Sequence, residues 1–259
     1  MNNLLQGDGY LPVIYTAAGI LAAIVALFVL YVLLLLICTV AVNPKKEYNS
    51  FNRFYHIVLK SVVYLLIKLS RIKVHLTGFE KVPKDQKVLF VSNHRSNFDP
   101  IVMWYIFNDW KLGLVSKASN FGIPIVGRMV RRICFLSIDR ENPRNAIVTI
   151  NKAAEFIRTG TASMGIYPEG TRSKECVLLP FHNGVFKIAQ KAQCPIVVLS
   201  TVGTEKVHKQ FPFHRSHIYL DVLDVIPADV VKASKTDVIG SNVRQMLEKN
   251  IEMRENSNV

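Results

Sequence analysis

The chain has 259 residues, of which half are hydrophobic, a formal net charge of +13 and a mean hydropathy of +0.23. This length allows one domain of ordinary to large size together with an appendage. A basic chain suits nucleic acid, an anionic lipid surface or phosphorylated substrates. The sequence holds no zinc-finger, helix-turn-helix or RNP-type pattern, so nucleic acid is not an expected partner. Its four cysteines are scattered without a CxxC pair, so neither a disulfide framework nor a structural metal is expected.

An uncharged apolar segment runs from Leu11 to Val42. A bilayer core needs roughly 20 apolar residues in a helix, so this segment predicts a membrane span. The alternative is a cleaved signal peptide, which fits poorly because residues 1–10 have no basic residue and the apolar run is too long. Only Asp8 precedes the span, whereas a group of basic residues follows it: Lys45, Lys46, Arg53 and Lys60. The positive-inside rule therefore predicts a single-pass protein with its larger part on the cytoplasmic side.

A second apolar stretch covers residues 56–76 and is punctuated by lysine and arginine. Its uninterrupted apolar runs are too short to cross a bilayer, so we expect it to lie in the membrane interface with its basic side chains reaching water. The alternative is that it packs back onto the following domain. Residues 121–135 also mix large apolar and basic side chains, a pattern typical of an interfacial patch.

From about residue 74 the pattern changes to short apolar runs that alternate with helical stretches. The runs predict strands at 87–92, 113–117, 134–138, 162–167, 195–200 and 218–227. A helix is predicted over 142–160, with Asn142 as N-cap and Pro143 in the first turn, and a last helix fills about 236–253. This alternation predicts an α/β fold with a mostly parallel sheet flanked by helices.

The predicted organisation has four parts. Residues 1–43 form an N-terminal tail and the membrane span, and residues 44–73 form a basic amphipathic interfacial segment. Residues 74–230 form the α/β domain, and residues 231–259 form a C-terminal helix and tail.

The first candidate site residues, His94 and Asp99, lie in SNHRSNFDP, directly after the predicted strand at 87–92. A histidine with a carboxylate partner is suited to general-base chemistry near neutral pH. Two plainer interpretations compete with this one. Asp99 before Pro100 is a good helix N-cap, and a histidine at a strand end is often only a hydrogen-bonded structural group.

The second stretch, YPEGTRS, also follows a predicted strand and holds four candidate residues: Glu169, Gly170, Thr171 and Arg172. Glycine lets a ligand approach the backbone closely, threonine offers a hydroxyl, and the planar guanidinium of arginine matches phosphate oxygens. The alternative is an ordinary turn with an internal Glu–Arg pair.

Two further strands end in polar groups, the first at Lys117 and the second at Asp139 and Arg140. The carboxyl ends of parallel strands gather at one edge of a sheet, where α/β proteins place their sites. The sequence therefore predicts that all of these groups share one edge.

These stretches resemble motif blocks of the glycerolipid acyltransferases. NHRSNFD matches their Asn-His-x-x-x-x-Asp signature and YPEGTRS matches their Pro-Glu-Gly-Thr-Arg block. Residues Lys117, Pro124, Gly127 and Ile138 to Arg140 resemble an intermediate block, and CPIVVL resembles the final one. The resemblance covers about residues 75–205. It implies a glycerol-3-phosphate acyltransferase-like fold and an O-acyltransferase, most similar to members that acylate 1-acyl-glycerol-3-phosphate to give phosphatidic acid.

The resemblance and the side-chain chemistry together suggest roles. His94 is the expected general base and Asp99 the partner that orients it, while a covalent acyl-serine is not expected because no G-x-S-x-G occurs. Arg172, Thr171, Gly170 and Lys117 are candidates for holding the acceptor phosphate, with Arg140 as a weaker one. Glu169 is expected to orient Arg172 or to meet a substrate hydroxyl.

The expected partners are membrane phospholipids, lysophosphatidic acid and the acyl donor, which is acyl-CoA or acyl carrier protein. No cofactor and no metal are expected beside that donor.

The chain departs from the family pattern at two places. His182 stands in Phe-His-Asn-Gly where many members have lysine, and Val198-Leu199 stands in the final block, which usually has a second proline. The missing lysine leaves another lysophospholipid or glycerol-3-phosphate open as acceptor. A non-catalytic lipid-binding membrane adaptor, with the His–Asp pair as a helix cap, is the competing class. A lipid hydrolase is disfavoured because the nucleophile elbow is missing.

Overall fold

The computed structural model describes residues 10–140 and 142–257. The chain divides into two compact units, Met1–Asn43 and Pro44–Val259. The first unit holds helix α1 (Leu11–Val40), whose 30 residues include no charged side chain. Its most apolar window has a mean hydropathy of 3.3, and among the described residues it is the one helix long and apolar enough to cross a membrane.

The second unit is built on a seven-stranded sheet. Its strands are β1 (Ile72–Thr77), β2 (Leu89–Ser92), β3 (Gly113–Lys117), β4 (Leu136–Ile138), β5 (Met164–Ile166), β6 (Ile196–Val202) and β7 (Ser216–Ile226). They lie in the order β1-β7-β6-β2-β5-β3-β4, and every neighbouring pair is parallel except β6 with β7. The predicted mostly parallel sheet is therefore confirmed.

Helices cover both faces of this sheet. They are α2 (Arg53–Leu69), α3 (Asp99–Phe107), α4 (Val126–Val130), α5 (Pro143–Arg158), α6 (Lys187–Ala192), α7 (Val207–Gln210), α8 (Ala228–Ala233) and α9 (Thr236–Asn256). Helix α5 begins as predicted, because the Asn142 side chain accepts hydrogen bonds from the backbone N–H groups of Arg144 and Asn145.

The central strand β2 shows how the layers are formed. All of its residues are buried, as expected for a strand covered on both faces. Leu89 and Val91 belong to the core made with α5, α6 and α9. Phe90 points to the opposite face, where its ring centroid lies 4.7 Å from that of Phe107 in α3. The sheet is thus the middle of three layers, and its carboxyl edge stays open for loops.

Residues 56–76 differ from the single interfacial segment that was predicted. Helix α2 ends at Leu69, and from Ile72 the chain is strand β1, which pairs with β7. One face of α2 packs on the domain through buried side chains at helical spacing: Tyr55, Leu59, Val63 and Ile67. Its outer face remains apolar and exposed, at Phe54, Ile57, Tyr64, Leu66 and Leu69. The alternative of packing onto the domain is therefore right for one face of the helix.

The predicted interfacial patch at residues 121–135 differs from the structure, because several of its large apolar side chains turn inward, although Ile123 is 48% exposed. The buried ones are Phe121, Met129, Val130 and Ile133. Two of the arginines lie over rings of the second unit, Arg131 at 4.9 Å from the Phe121 ring centroid and Arg132 at 4.2 Å from that of Tyr48. Basic and apolar residues can alternate for packing reasons as well as for membrane contact.

Asp221 of β7 joins the sheet to α9 through Arg254. Their two hydrogen bonds measure 2.8 Å from Nε to Oδ2 and 2.6 Å from Nη2 to Oδ1. Burial pushes the pKa of Asp221 up, but hydrogen bonds from Arg254 and Thr77 outweigh it, so this pKa lies below its usual value. A carboxylate whose pKa is lowered by folding stabilises the fold above its unfolded pKa and loses that contribution as the pH falls through its folded pKa.

Asp221→Asn should therefore destabilise the protein by about 2 kcal/mol at pH 7, less than for a fully buried pair because Arg254 is partly exposed. The difference should begin to shrink as the pH falls below about 4, the pKa of an unfolded aspartate, and shrink further towards the lower pKa of the folded protein. Thermal unfolding of both proteins in the same detergent at pH 7 and pH 3 measures it. An unfolding temperature difference that is the same at both pH values would contradict the assigned ion pair.

Candidate active site

His94 and Asp99 form a hydrogen-bonded pair at the carboxyl end of β2. His94 Nδ1 lies 2.9 Å from Asp99 Oδ2, and the carboxylate is fully buried while 15% of the imidazole side chain is exposed. A carboxylate can only accept, so the neutral ring carries its proton on Nδ1 and Nε2 is its basic nitrogen. The pair therefore leaves the imidazole partly accessible and hides its carboxylate partner.

The helix-cap interpretation of Asp99 is wrong. Helix α3 begins at Asp99 itself, and the preceding Phe98 occupies the N-cap position without a side-chain cap. The carboxylate instead turns back to the loop before the helix. Its Oδ2 accepts the backbone N–H groups of Arg95 at 2.6 Å and Ser96 at 2.7 Å.

Thr204, which follows β6, completes the surroundings of the carboxylate. Its hydroxyl is fully buried and donates to Asp99 Oδ1. Together with the donors at Oδ2, this bond fixes the plane of the carboxylate and hence the direction in which it meets the imidazole. Sequence reasoning missed Thr204, because a threonine after a buried strand carries no recognisable signal.

Tyr167 forms one wall of the site, and sequence reasoning missed it as well. Its ring stacks on that of His94 with centroids 4.3 Å apart and planes inclined by 23°. Burial, with a smaller effect of the nearby Asp99 charge, raises the pKa of Tyr167 well above its usual value. The phenol thus stays neutral and restricts the ring orientations open to His94.

Glu169 has other partners than those expected of it. Its Oε1 accepts the backbone N–H of His94 at 2.6 Å, and its Oε2 accepts that of Leu179 at 2.9 Å. Burial raises the pKa of Glu169, and these two backbone bonds partly oppose that effect. The expectation that Glu169 orients Arg172 or meets a substrate hydroxyl is therefore corrected: both oxygens hold main-chain groups.

The loop after β5 is tied to His94 at two points. Glu169 accepts the His94 N–H, and the Ser173 N–H donates to the His94 carbonyl at 2.9 Å. The three residues between these ties are Gly170, Thr171 and Arg172, of which the last two are exposed. The structure thus places the second sequence block beside the first.

Gly170 has a positive φ of +67°, and a Cβ there would come within 2.9 Å of the His182 ring. A side chain is excluded on both grounds. His182, at the position where lysine was expected, is exposed and lies against this glycine.

Lys117 and Arg140 stand farther along the same edge. Lys117 ends β3 and is in register with Ile138 of β4, two residues before Arg140. Both cationic side chains are exposed. Partial desolvation lowers the pKa of Arg140, but a guanidinium keeps its charge at neutral pH. The carboxyl edge thus carries cations at the end of β3, just after β4 and in the loop after β5.

An apolar cleft of about 360 Å³ opens beside this edge. Its apolar lining includes Val115, Ile138, Ile147, Ile150, Ile166 and Val185. The cleft shares Tyr167 and Gly170 with the site and has Arg140 and His182 among its polar lining. Its size is at the lower end of ligand pockets, and its lining suits an alkyl chain. In the described part of the chain no group of three or more His, Cys, Asp or Glu side chains could hold a metal ion.

The fold and the site define an α/β protein with a hydrogen-bonded His–Asp pair and exposed cations at the carboxyl edge of a mostly parallel sheet. A protein-family model described as acyltransferase matches residues 73–202, half of the chain. The chain belongs to this acyltransferase family.

Individual relatives carry a common name. A chloroplastic 1-acyl-sn-glycerol-3-phosphate acyltransferase of Brassica napus is 31% identical over 60% of this chain and 44% of its own length. Enzymes of that name are 28% identical in Borreliella burgdorferi, over 77% of this chain and 80% of theirs, and 27% identical in Haemophilus influenzae, over 86% and 94%. The chain thus spans less than half of the Brassica protein but most of the two bacterial ones.

A solved structure shares the fold. The crystal structure of the 1-acyl-sn-glycerophosphate (LPA) acyltransferase PlsC of Thermotoga maritima superposes with a TM-score of 0.63 at 18% identity. The match covers 87% of this chain and 89% of that one. At this identity the likeness concerns the arrangement of strands and helices.

Proposed function

We propose that the protein transfers an acyl chain from an acyl thioester to the free hydroxyl of 1-acyl-glycerol-3-phosphate and so forms phosphatidic acid. The observation that carries this proposal is the His94–Asp99 pair, with its fully buried carboxylate and its partly exposed imidazole. The cations and the apolar cleft at the same edge suit a substrate with a phosphate and an alkyl chain. The names of the relatives support this choice of acceptor.

The chemistry needs one base and no covalent intermediate. The acceptor hydroxyl attacks the thioester carbonyl while His94 Nε2 takes its proton, and Asp99 stabilises the imidazolium that forms. The tetrahedral intermediate then collapses as the C–S bond breaks, and the departing sulfur receives the proton from His94. The products are an ester and a free thiol. This exchange of acyl groups involves no change of oxidation state, so we propose no cofactor beside the thioester.

The acceptor phosphate has candidate partners beside His94. Thr171 and Arg172 are exposed on the loop tied to the His94 backbone, and Gly170 allows a close approach to that loop. Lys117 and Arg140 supply further positive charge along the edge. We assign the phosphate chiefly to Arg172, because its guanidinium can hold two oxygens at once.

Arg172→Lys should be harmful although it keeps the charge, because an ammonium group cannot reproduce the two-pronged contact. We expect about a 10- to 100-fold loss of kcat/KM for a phosphorylated acceptor, the value of a charge-assisted hydrogen bond. The loss should be small for a neutral monoacylglycerol, and Lys174→Arg, a nearby exposed cation, serves as control. Equal losses on both acceptors would make Arg172 a structural residue.

We propose that α1 spans a membrane and that the second unit faces the cytosol. The length and hydropathy of α1 support a span, and the basic residues that follow it support the orientation.

A cysteine introduced as Ser257→Cys reports the orientation. A Cys176→Ser background removes the partly exposed native thiol, and Cys134 and Cys194 are buried, so they should add little labelling. If the C-terminus is cytosolic, the new cysteine should react with an impermeant thiol reagent only after the cells are permeabilised. Labelling in intact cells would place the C-terminus outside and contradict this topology.

The proposed function is tested with purified full-length protein, lysophosphatidic acid and acyl-CoA or acyl carrier protein thioesters. We expect phosphatidic acid as the product, and the donor panel identifies the thioester used. Other lysophospholipids and glycerol-3-phosphate are included as competing acceptors. Faster acylation of one of these lipids would make that lipid the acceptor in place of lysophosphatidic acid. Binding of lipid without any acyl transfer would favour the non-catalytic membrane adaptor.

A further inference from the structure

The segment between β6 and β7 forms a basic and aromatic surface, residues 206–215, which we name the β6–β7 loop. It reads KVHKQFPFHR and holds no acidic residue. Its lysine, arginine and histidine side chains are all exposed: Lys206, His208, Lys209, His214 and Arg215. Two phenylalanine rings accompany them, Phe211 at 50% and Phe213 at 79% exposed. Large apolar rings this exposed, set among cations, mark an interaction surface.

The loop is held in place, so that its rings are presented by a fixed backbone. Arg71, between α2 and β1, donates from Nη1 to the carbonyls of Pro212 and Phe213, both at 3.1 Å. The His214 N–H donates to the Gln210 carbonyl at 2.8 Å.

The same arginine connects the loop with the apolar outer face of α2. Leu69, the last residue of α2, is 60% exposed and stands only two positions before Arg71. Arg71 thus bonds the loop backbone at Pro212 and Phe213 to the chain two residues beyond the exposed end of α2.

The loop also begins at the candidate active site. Thr204, whose hydroxyl contacts Asp99, lies two residues before Lys206. Glu205 and Lys209 are both close enough to influence the pKa of the Cys176 thiol, and Cys176 lies four positions after Arg172. Whatever binds this surface is thus held next to the carboxyl edge of the sheet.

We propose that the β6–β7 loop docks on an anionic phospholipid bilayer, with Phe211 and Phe213 entering the interface and the cations meeting lipid phosphates. Aromatic rings favour the boundary between headgroups and acyl chains, and each cation near an anionic leaflet adds attraction. An acidic protein would also satisfy the charges, but it offers no apolar medium for two exposed phenylalanine rings. The surface is separate from the acyl-transfer chemistry and does not depend on it.

The proposal is tested with the full-length protein in vesicles that contain brominated phospholipids, which quench tryptophan inserted among them. Phe213→Trp places the reporter, whereas native Trp104 and Trp110 are buried and give a common background. Val238→Trp is the matched control. Val238 is 51% exposed on α9, which packs with α5 and α6 on one face of the sheet, away from α2. We expect the bromolipid to remove about half of the emission added at position 213 and little of that at position 238.

Two further variants make the outcome decisive. Phe211→Trp should be quenched like Phe213→Trp, and Lys209→Gln with Arg215→Gln should reduce the quenching in anionic vesicles. Equal quenching at positions 213 and 238, or quenching indifferent to those charges and to anionic lipid, would overturn the proposal. An unquenched loop that binds an acidic carrier protein would overturn it in favour of a protein partner. Acyl transfer is measured on the same vesicles. A protein that is quenched but inactive is thereby distinguished from one that is active but does not dock through this loop.

Discussion

His94→Ala is expected to lower turnover by about 10²- to 10⁴-fold, the range that general-base assistance contributes. Without the imidazole, the acceptor hydroxyl must lose its proton to water while it attacks the thioester. The substitution should leave the fold intact, because the backbone of His94 keeps its ties to Glu169 and Ser173. Steady-state kinetics and thermal unfolding on the same preparation measure both effects.

The matched control is His75→Ala. His75 lies on the edge strand β1, where its ring hydrogen-bonds His217 at 2.9 Å, away from the candidate site. Its removal should leave turnover within a few-fold of wild type. A His94→Ala protein that is folded and as active as this control would exclude His94 as the base.

Asp99→Asn should cost about 10²- to 10³-fold in turnover, and the reason lies in its hydrogen bonds. Three N–H groups converge on Asp99 Oδ2, from His94, Arg95 and Ser96, so an asparagine should place its carbonyl oxygen there. Its amide N–H₂ would then face the Thr204 hydroxyl, which can accept. The orientation of His94 is thereby kept and only the negative charge is lost, so the effect reports how much that charge stabilises the imidazolium.

Thermal unfolding on the same preparation separates loss of the charge from misfolding. A folded Asp99→Asn protein with wild-type turnover would leave Asp99 a purely structural residue.

Much of the fold could be predicted because the central strands are buried on both faces. Continuous apolar runs such as 88–91 and 195–199 then indicate strands, because these strands have no polar solvent-facing side to interrupt the run. Strand β1 could not be found, because its alternating sequence directly follows the apolar helix α2 and its partner β7 lies more than a hundred residues away.

The detailed contacts of the candidate site were predictable only for residues that are close in sequence. His94 and Asp99 are five positions apart and form a recognisable motif, so the pair could be proposed before its geometry was seen. Thr204 and Tyr167 reach the pair from other strands, and nothing local identifies them. The predicted partners of Glu169 were wrong because its carboxylate accepts two backbone N–H groups instead of the nearby Arg172. Such backbone contacts leave no pattern in a sequence.

The central claim is direct transfer from the thioester to a lipid hydroxyl activated by His94. Rapid mixing of the full-length protein with acyl thioester, followed by continuous detection of free thiol, tests it most directly. We expect thiol release only after lysophosphatidic acid is added, in equal amount to the phosphatidic acid formed and without an initial burst. Release of one thiol per protein before any acceptor is present, or steady release without phosphatidic acid, would contradict direct transfer.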